Sequence, residues 1–351
     1  LGDVYKRQNI SRNGWGEELP YVGGYGVVSI DNTDLTISGC TINGNVNTGI
    51  DSECSRDSDI RDNQIHDNGG NGGIFMVSPG PDPVVNCSIT GNTISESGWG
   101  IWLEQEDYVV DNNTVIDCQY GILLSCCRNA NLTGNAMSGN EMNFIVEGQY
   151  YEDYINWVDT TNTVDGRPIY YLVNESGRVI DSTSGAGIVI GISCTDLTIS
   201  DLSIAKNPYG VLLLDSKQVE ISNVISTESE NGFVVLESDE INIEACSALA
   251  NTDNGFLVNG SDLVRISGSD ALENSGPYGA GTGLAVFNCY DVIIRDVNAS
   301  DNNFAGIDME DTIQGLVEGI TADSNNAAGI IIGGDDITMR DCFIGTMARR
   351  G

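Results

Sequence analysis

The sequence predicts an all-β chain wound as a right-handed parallel β-helix, a solenoid of about 12 coils of ~23 residues with three parallel sheets. Three observations predict it. A glycine returns at near-constant spacing: Gly26, Gly49, Gly73, Gly100 and Gly121, then Gly187, Gly210, Gly232, Gly255, Gly283, Gly306 and Gly329, at intervals of 23, 24, 27 and 21 and then 23, 22, 23, 28, 23 and 23 residues. Nearly every one is followed by apolar–any–apolar, as in GIWLE (100–104) and GFVVLE (232–237). Inside each repeat the apolar period is two, the period of a strand, and no sustained helical period appears.

The glycine opens the first strand of each coil. Ile37-Ser-Gly-Cys40-Thr-Ile42, Ile60-Arg-Asp-Asn63-Gln-Ile65 and Ile89-Thr-Gly-Asn92-Thr-Ile94 are successive copies of the second strand, the corner after it and the start of the third. The corner slot reads Cys40, Asn63, Asn92, Asn113, Asn135, then Leu202, Val224, Cys246, Ser269, Val297, Ile320, Cys342. Four consecutive asparagines predict an internal amide ladder with an architectural role, which apolar groups and cysteine replace in the C-terminal half. At about 4.8 Å per coil the coils would make a rod on the order of 60 Å long.

The repeat divides the chain into residues 1–25, irregular; 26–147, regular coils; 148–186, an aromatic-rich insertion or degenerate coil; and 187–351, regular coils again. LGDVYKRQ (1–8) fits no column and reads as non-native sequence. Neither end shows a cap, so a fragment of a longer protein is expected, with the second half truncated. Residues 148–186 hold Tyr150, Tyr151, Tyr154, Trp157, Tyr170 and Tyr171.

Fifteen basic against 51 acidic residues give a net charge of −36, which excludes nucleic acid as a partner and suits an extracellular or cell-surface setting. No apolar run is long enough for membrane insertion. The ten cysteines form no CxxC pair and no His/Cys cluster, so zinc is not expected. At least eight should be free and buried, with Cys127–Cys194 the one credible bridge.

NTVDGRPIYYLVNESGRVI (162–180), followed by CTDLTISDLSI (194–204), resembles the NosD-like β-helix proteins, a family named for periplasmic copper binding and abundant among archaeal surface proteins. The coils resemble the broader β-helix class of carbohydrate-binding and sugar-hydrolysing proteins. Copper is implied by the family name alone. It needs imidazole or clustered Cys and Met, and the chain has one histidine, His66, and six scattered methionines. No metal or cofactor is therefore expected, apart from weak calcium at Asp57-x-Asp59. The NTD, GHG and RIK motifs of polygalacturonase-like enzymes are absent, and Arg56 and Arg61 are not on the strand a lyase base would need.

On the first strand, residues two and four after glycine face outward. The first of these columns reads Val28, Asp51, Phe75, Trp102, Leu123, Val189, Leu212, Val234, Leu257, Ala285, Asp308, Ile331, and Leu214, Leu236 and Phe287 widen it. So apolar a stripe needs a cover or a docked protein. Residues 148–186 are expected to shield it around Leu123, Val189 and Leu212. Toward the N-terminus the stripe becomes amphipathic and predicts a sugar platform: Phe75, Trp99 and Trp102 to stack on a pyranose, Glu104 to bind its hydroxyls. Trp99 and His66 are expected in turns leading into these strands, with the SPGPDP loop (78–83) as a wall. Glu53 and Glu104, two coils or about 9.6 Å apart in backbone, come near the separation of an inverting glycosidase pair. Asp51, Glu53, Glu104 and His66 are thus the catalytic candidates. The leading expectation is a secreted or surface β-helix that binds polysaccharide or builds the envelope without catalysis; the alternative is a polysaccharide hydrolase or lyase.

Overall fold

The computed structural model describes residues 4–6, 9–11, 24–78 and 84–346. It is an all-β right-handed parallel solenoid of about 14 turns, two more than the glycine count gives. It divides into two compact units, residues 1–169 and 170–351.

In unit 1 three parallel ladders run the length of the unit. First strands such as Ile50–Glu53, Ile74–Val77 and Trp99–Glu106 form one six-stranded sheet. Second strands form a seven-stranded sheet that begins at Val4–Lys6, paired with Thr36–Ser38. Third strands begin at Asn9–Ser11, paired with Thr41–Asn43. Residues 4–6 therefore occupy a column after all. They escaped notice because no glycine-headed first strand marks their coil.

The column glycines are explained by the space between coils. A Cβ on Gly255 would lie 2.6 Å from the carbonyl oxygen of Gly283, and one on Gly283 2.5 Å from that of Gly306. Only hydrogen fits where neighbouring coils approach so closely. The corners need the left-handed backbone region instead. Between second and third strands the corner residue is Gly39, Asp62, Gly91, Asn112, Gly134, Asp201, Asn223, Ala245, Gly268, Asp296, Gly319 or Asp341, all with φ between 52° and 66°. Glycine, Asn and Asp tolerate that region best, which accounts for the chain's richness in them.

Behind each corner lies a buried slot. Asn63, Asn92, Asn113 and Asn135 form the predicted ladder: each Nδ2 donates to the next Oδ1 at 2.8–3.0 Å, and the ladder runs on to Asn162. Unit 2 has its own ladders at other corners. Asn251, Asn274, Asn302 and Asn325 stack behind the third strands. The backbone N–H groups of Cys194, Ser216 and Ser238 donate to Ser216, Ser238 and Ser261 hydroxyls at 3.0–3.1 Å.

Residues 148–186 are mostly coil. Trp157–Val158 joins the second-strand ladder and Thr163–Val164 the third, while Val179–Ile180 pairs with Thr195–Ser200. The true excursion is short: a 3-10 turn, Tyr151–Tyr154, packed on strands Tyr120–Arg128 and Met142–Glu147. Asp153 holds it by accepting the backbone N–H groups of Gln149 and Tyr150. Leu123, paired with Trp102 and Ile145 in the neighbouring coils, is 1% exposed. Tyr150 and Trp157 of the segment stand in solvent, 68% and 59% exposed.

At Val189 the expectation fails. Val189 pairs with Val211, an inward residue of the core, and Ile190 is the outward partner of Leu212. Gly187 therefore stands one residue ahead of the glycine column, and a slip of one exchanges the faces of a strand. Leu212, Leu214 and Val234 are buried rather than bare. No disulfide joins any of the ten cysteines: seven are buried, Cys54 and Cys342 are partly so and Cys126 is exposed. Cys127 and Cys194 are separately buried thiols, each pushed above the usual thiol range by burial.

Candidate functional site

The outward face of the unit 1 first-strand sheet carries the site. Strand pairing puts Val28, Asp51, Phe75, Trp102, Leu123 and Ile145 in one column. Ile30, Glu53, Val77, Glu104, Ser125 and Glu147 form the column beside it. Glu53 and Glu104 are two rungs apart, as the repeat predicts.

The aromatic side chains meet. The Phe75 and Trp102 rings are edge to face with centroids 5.0 Å apart, and Trp99 tilts against Trp102 at 4.6 Å. Trp99 also stacks on Tyr120 at 3.8 Å, with 16° between the planes. All four are half-buried. Packing locks the rings while leaving surface for a ligand, which limits the ordering cost of binding. Trp99 is the first residue of strand Trp99–Glu106 rather than part of a turn. His66 is not at the site: it ends the third strand Gln64–His66, between Asn43 and Ser95 of the neighbouring coils. Of the SPGPDP loop only Ser78 lies within the described residues.

Glu104 is the last residue in regular register before a bulge. Opposite Glu104 and Gln105 the next coil carries one extra residue, Cys126, so Glu104 pairs with Ser125 and Gln105 with Cys127. The buried Tyr108 hydroxyl donates to the Glu104 carbonyl at 2.7 Å and fixes the bulge from inside. Burial raises the Glu104 carboxyl above its usual range and repulsion from Glu147 adds to this, while the Trp102 indole and the Ser78 backbone N–H draw it back. Trp102 Nε1 makes no hydrogen bond of good geometry among the described residues, so its pull on Glu104 is only a weak electrostatic one.

Asp51 is the most perturbed acid. It is 5% exposed, its Oδ1 has no hydrogen-bond partner among the described residues, and burial followed by the charge of Glu53 lifts its pKa to about 6. Tyr25 lies close enough for Asp51 to raise its own pKa, after the larger effect of burial. Sequence reasoning missed Tyr25, Tyr120 and Glu147. The first two had a signal, since the residue before the column glycine is aromatic in four coils: Tyr25, Trp99, Tyr120 and, in unit 2, Tyr209.

The residues do not fit copper. His66 is the chain's one histidine, and among the described residues no three His, Cys, Asp or Glu side chains are grouped to hold a metal. At the weak calcium candidate Asp57 accepts Asn86, while Asp59 accepts Ser88 and pairs with Arg61.

Coils, corner ladders and an outward first-strand platform define a parallel β-helix. The chain belongs to the family described as the right-handed β-helix region, whose model matches residues 7–162 and 186–344. The unmatched stretch coincides with the irregular coil. No curated protein matches. Solved structures similar to the chain include PfbA, a surface adhesin of Streptococcus pneumoniae, at 9% identity over 88% of this chain and 83% of that one, with a TM-score of 0.30. A family 28 exopolygalacturonase of Yersinia enterocolitica is 8% identical over 97% and 72%, with a TM-score of 0.34. The A-module of the mannuronan C-5 epimerase AlgE4 of Azotobacter vinelandii is 12% identical over 99% and 91%, with a TM-score of 0.29. Among the described residues no helix is long and apolar enough to cross a membrane.

Proposed function

We propose that the chain is an extracellular or surface β-helix that binds polysaccharide on the outward face of its unit 1 first strands. The observation that carries this is the contiguous cluster of Phe75, Trp102, Trp99 and Tyr120, half-buried and bordered by Asp51, Glu53 and Glu104. Sugar rings offer an apolar C–H face to such rings and hydroxyls to the flanking acids. The test is affinity electrophoresis against neutral and acidic polysaccharides. Trp102→Ala should abolish retardation while the melting curve stays cooperative; undiminished binding overturns the reading.

Asp51 favours a second reading, a polysaccharide-active enzyme. A carboxyl held near 6 by burial can give or take a proton near neutral pH, with Glu53 or Glu104 as its ionised counterpart. This reading expects reducing ends or unsaturated sugars to be released from a glycan panel, with loss of that activity in Asp51→Asn and Glu104→Gln. No release from any glycan would leave binding alone.

A further inference from the structure

Unit 2 repeats the acidic feature of unit 1. The segment Gly-Ile-Asp-Ser-Glu at 49–53 has its counterpart in Gly-Ile-Asp-Met-Glu at 306–310. Asp51 and Asp308 are the acids of the outward column, and both are buried, at 5% and 9% exposure. The Oδ1 of each lacks a hydrogen-bond partner among the described residues. A buried carboxylate oxygen without a protein donor is destabilising, so its presence at two equivalent positions calls for a functional explanation.

At Asp308 the surroundings form a shallow, open cleft. A space of about 350 Å³ is bounded by Asp253, Asn254, Ala285, Phe287, Phe304 and Asp308, together with residues 279–282. That volume lies at the lower end of small-ligand sites, about 300–1,000 Å³. Strand pairing sets Asp308 beside Ala285 and Glu310 beside Phe287, so a small residue leaves the room and an aromatic one borders it. One wall is the segment 276–281, folded around the 3-10 turn Pro277–Gly279. It is tied to the next coil: the Phe304 N–H donates to the Gly281 carbonyl at 2.8 Å, and Asn303 Nδ2 to that of Ala280 at 3.0 Å. These bonds seat the half-buried Phe304 against the wall. None of the described lining residues is basic.

We propose that this cleft is a second saccharide site, taking an uncharged pyranose residue whose C–H face lies on Phe304 and Phe287 and whose hydroxyls bond the Asp308 carboxylate. The ligand class rests on the saccharide reading of unit 1; the cleft and its unpartnered oxygen do not. Two carboxylates, Asp253 and Asp308, and no lining base repel a uronate. Burial raises both acids, and Glu310 adds to the effect at Asp308. A donated hydroxyl stabilises the ionised form, so binding lowers the pKa of Asp308 and releases protons in the acidic range.

The experiment is calorimetric titration of the whole chain with neutral gluco-, manno- and galacto-hexaoses, with oligogalacturonate and chitosan hexamers as charged controls. Two sites per chain for one neutral hexaose are expected. Trp102→Ala should remove one, while Phe304→Ala and Asp308→Leu should each weaken the other at least tenfold. Asp308→Leu should not lower the melting temperature, since it removes an unpartnered buried carboxyl. One site, lost in Trp102→Ala and untouched by Phe304→Ala and Asp308→Leu, overturns the second site and leaves the first. One site lost only in Phe304→Ala and Asp308→Leu supports it and overturns the unit 1 platform. Tighter binding of the uronate or the amine oligomer at the Asp308 site overturns the assignment of an uncharged sugar, and no binding of any probe overturns both sites.

Discussion

At single residues the chain follows strict backbone chemistry, and its exceptions are informative. Among the left-handed corner residues named above, Ala245 alone is neither glycine, Asn nor Asp, yet it holds φ 53°. Its Cβ strains against the backbone there, and the side chain is exposed, so nothing compensates. Ala245→Gly should stabilise the protein by about 1 kcal/mol, and a denaturant midpoint shifted upward at unchanged m-value would verify it. Asp51 is the opposite case, a destabilising residue at the candidate site. Its folded pKa is raised from 3.8 to about 6, so the native state binds the proton more tightly than the unfolded chain. The associated stability is fully present below the unfolded value and is lost as pH rises through the folded one. Asp51→Asn should therefore add roughly 1–2 kcal/mol above pH 7 and flatten the fall between about pH 4 and 7. A pH series of melts on both proteins measures it.

At the scale of the element, two devices set the coil: close approach at the column glycines and satisfied amides at the corners. Gly255→Ala would push a methyl to 2.6 Å from the Gly283 carbonyl oxygen. A cost of about 2–3 kcal/mol is expected from chemical denaturation, with loss of cooperativity between neighbouring coils. Asn113 donates to the Ile89 carbonyl at 2.7 Å and to Asn135 Oδ1 at 2.9 Å, and accepts from Asn92. Asn113→Ala strands partners in both neighbouring coils and should cost about 2–4 kcal/mol by the same measurement.

Much of this was legible in sequence because the physics is local and repeated. Glycine columns, period-two strands and the Asn63–Asn135 ladder each recur at the coil spacing. What escaped had no such marker. Gly187 sits one residue from the column and misled the faces of Val189 and Ile190. Val4–Lys6 has no glycine-headed strand. At the site, the shared outward column of Phe75 and Trp102 followed from strand alternation, whereas Trp99, expected in a turn, opens the strand Trp99–Glu106. The burial of Asp51, the bulge at Cys126 and the cleft over Asp308 depend on how loops and neighbouring coils fill space, which periodicity does not encode.

For the molecule as a whole, charge opposes what packing holds together. A net charge of −36 repels itself in the compact state. Ion pairs such as Lys217–Asp239 at 2.7 Å and Arg295–Glu318 at 2.8 Å lie at the surface and offset little of this. Two contributions make stability fall as pH rises, and salt separates them. Self-repulsion among exposed carboxylates is screened within a Debye length of about 8 Å at physiological ionic strength. Burial of Asp51, Glu104, Asp253 and Asp308, each raised chiefly by desolvation, is not. At low salt the melting temperature should be higher at pH 5 than at pH 8, and adding sodium chloride to about 0.5 M should raise the pH 8 value most. A difference between the two pH values should persist in high salt and shrink in the double variant Asp51→Asn, Asp308→Leu. If salt erases the difference completely in the unsubstituted chain, the buried acids contribute nothing measurable, and the destabilisation ascribed to both candidate sites is wrong.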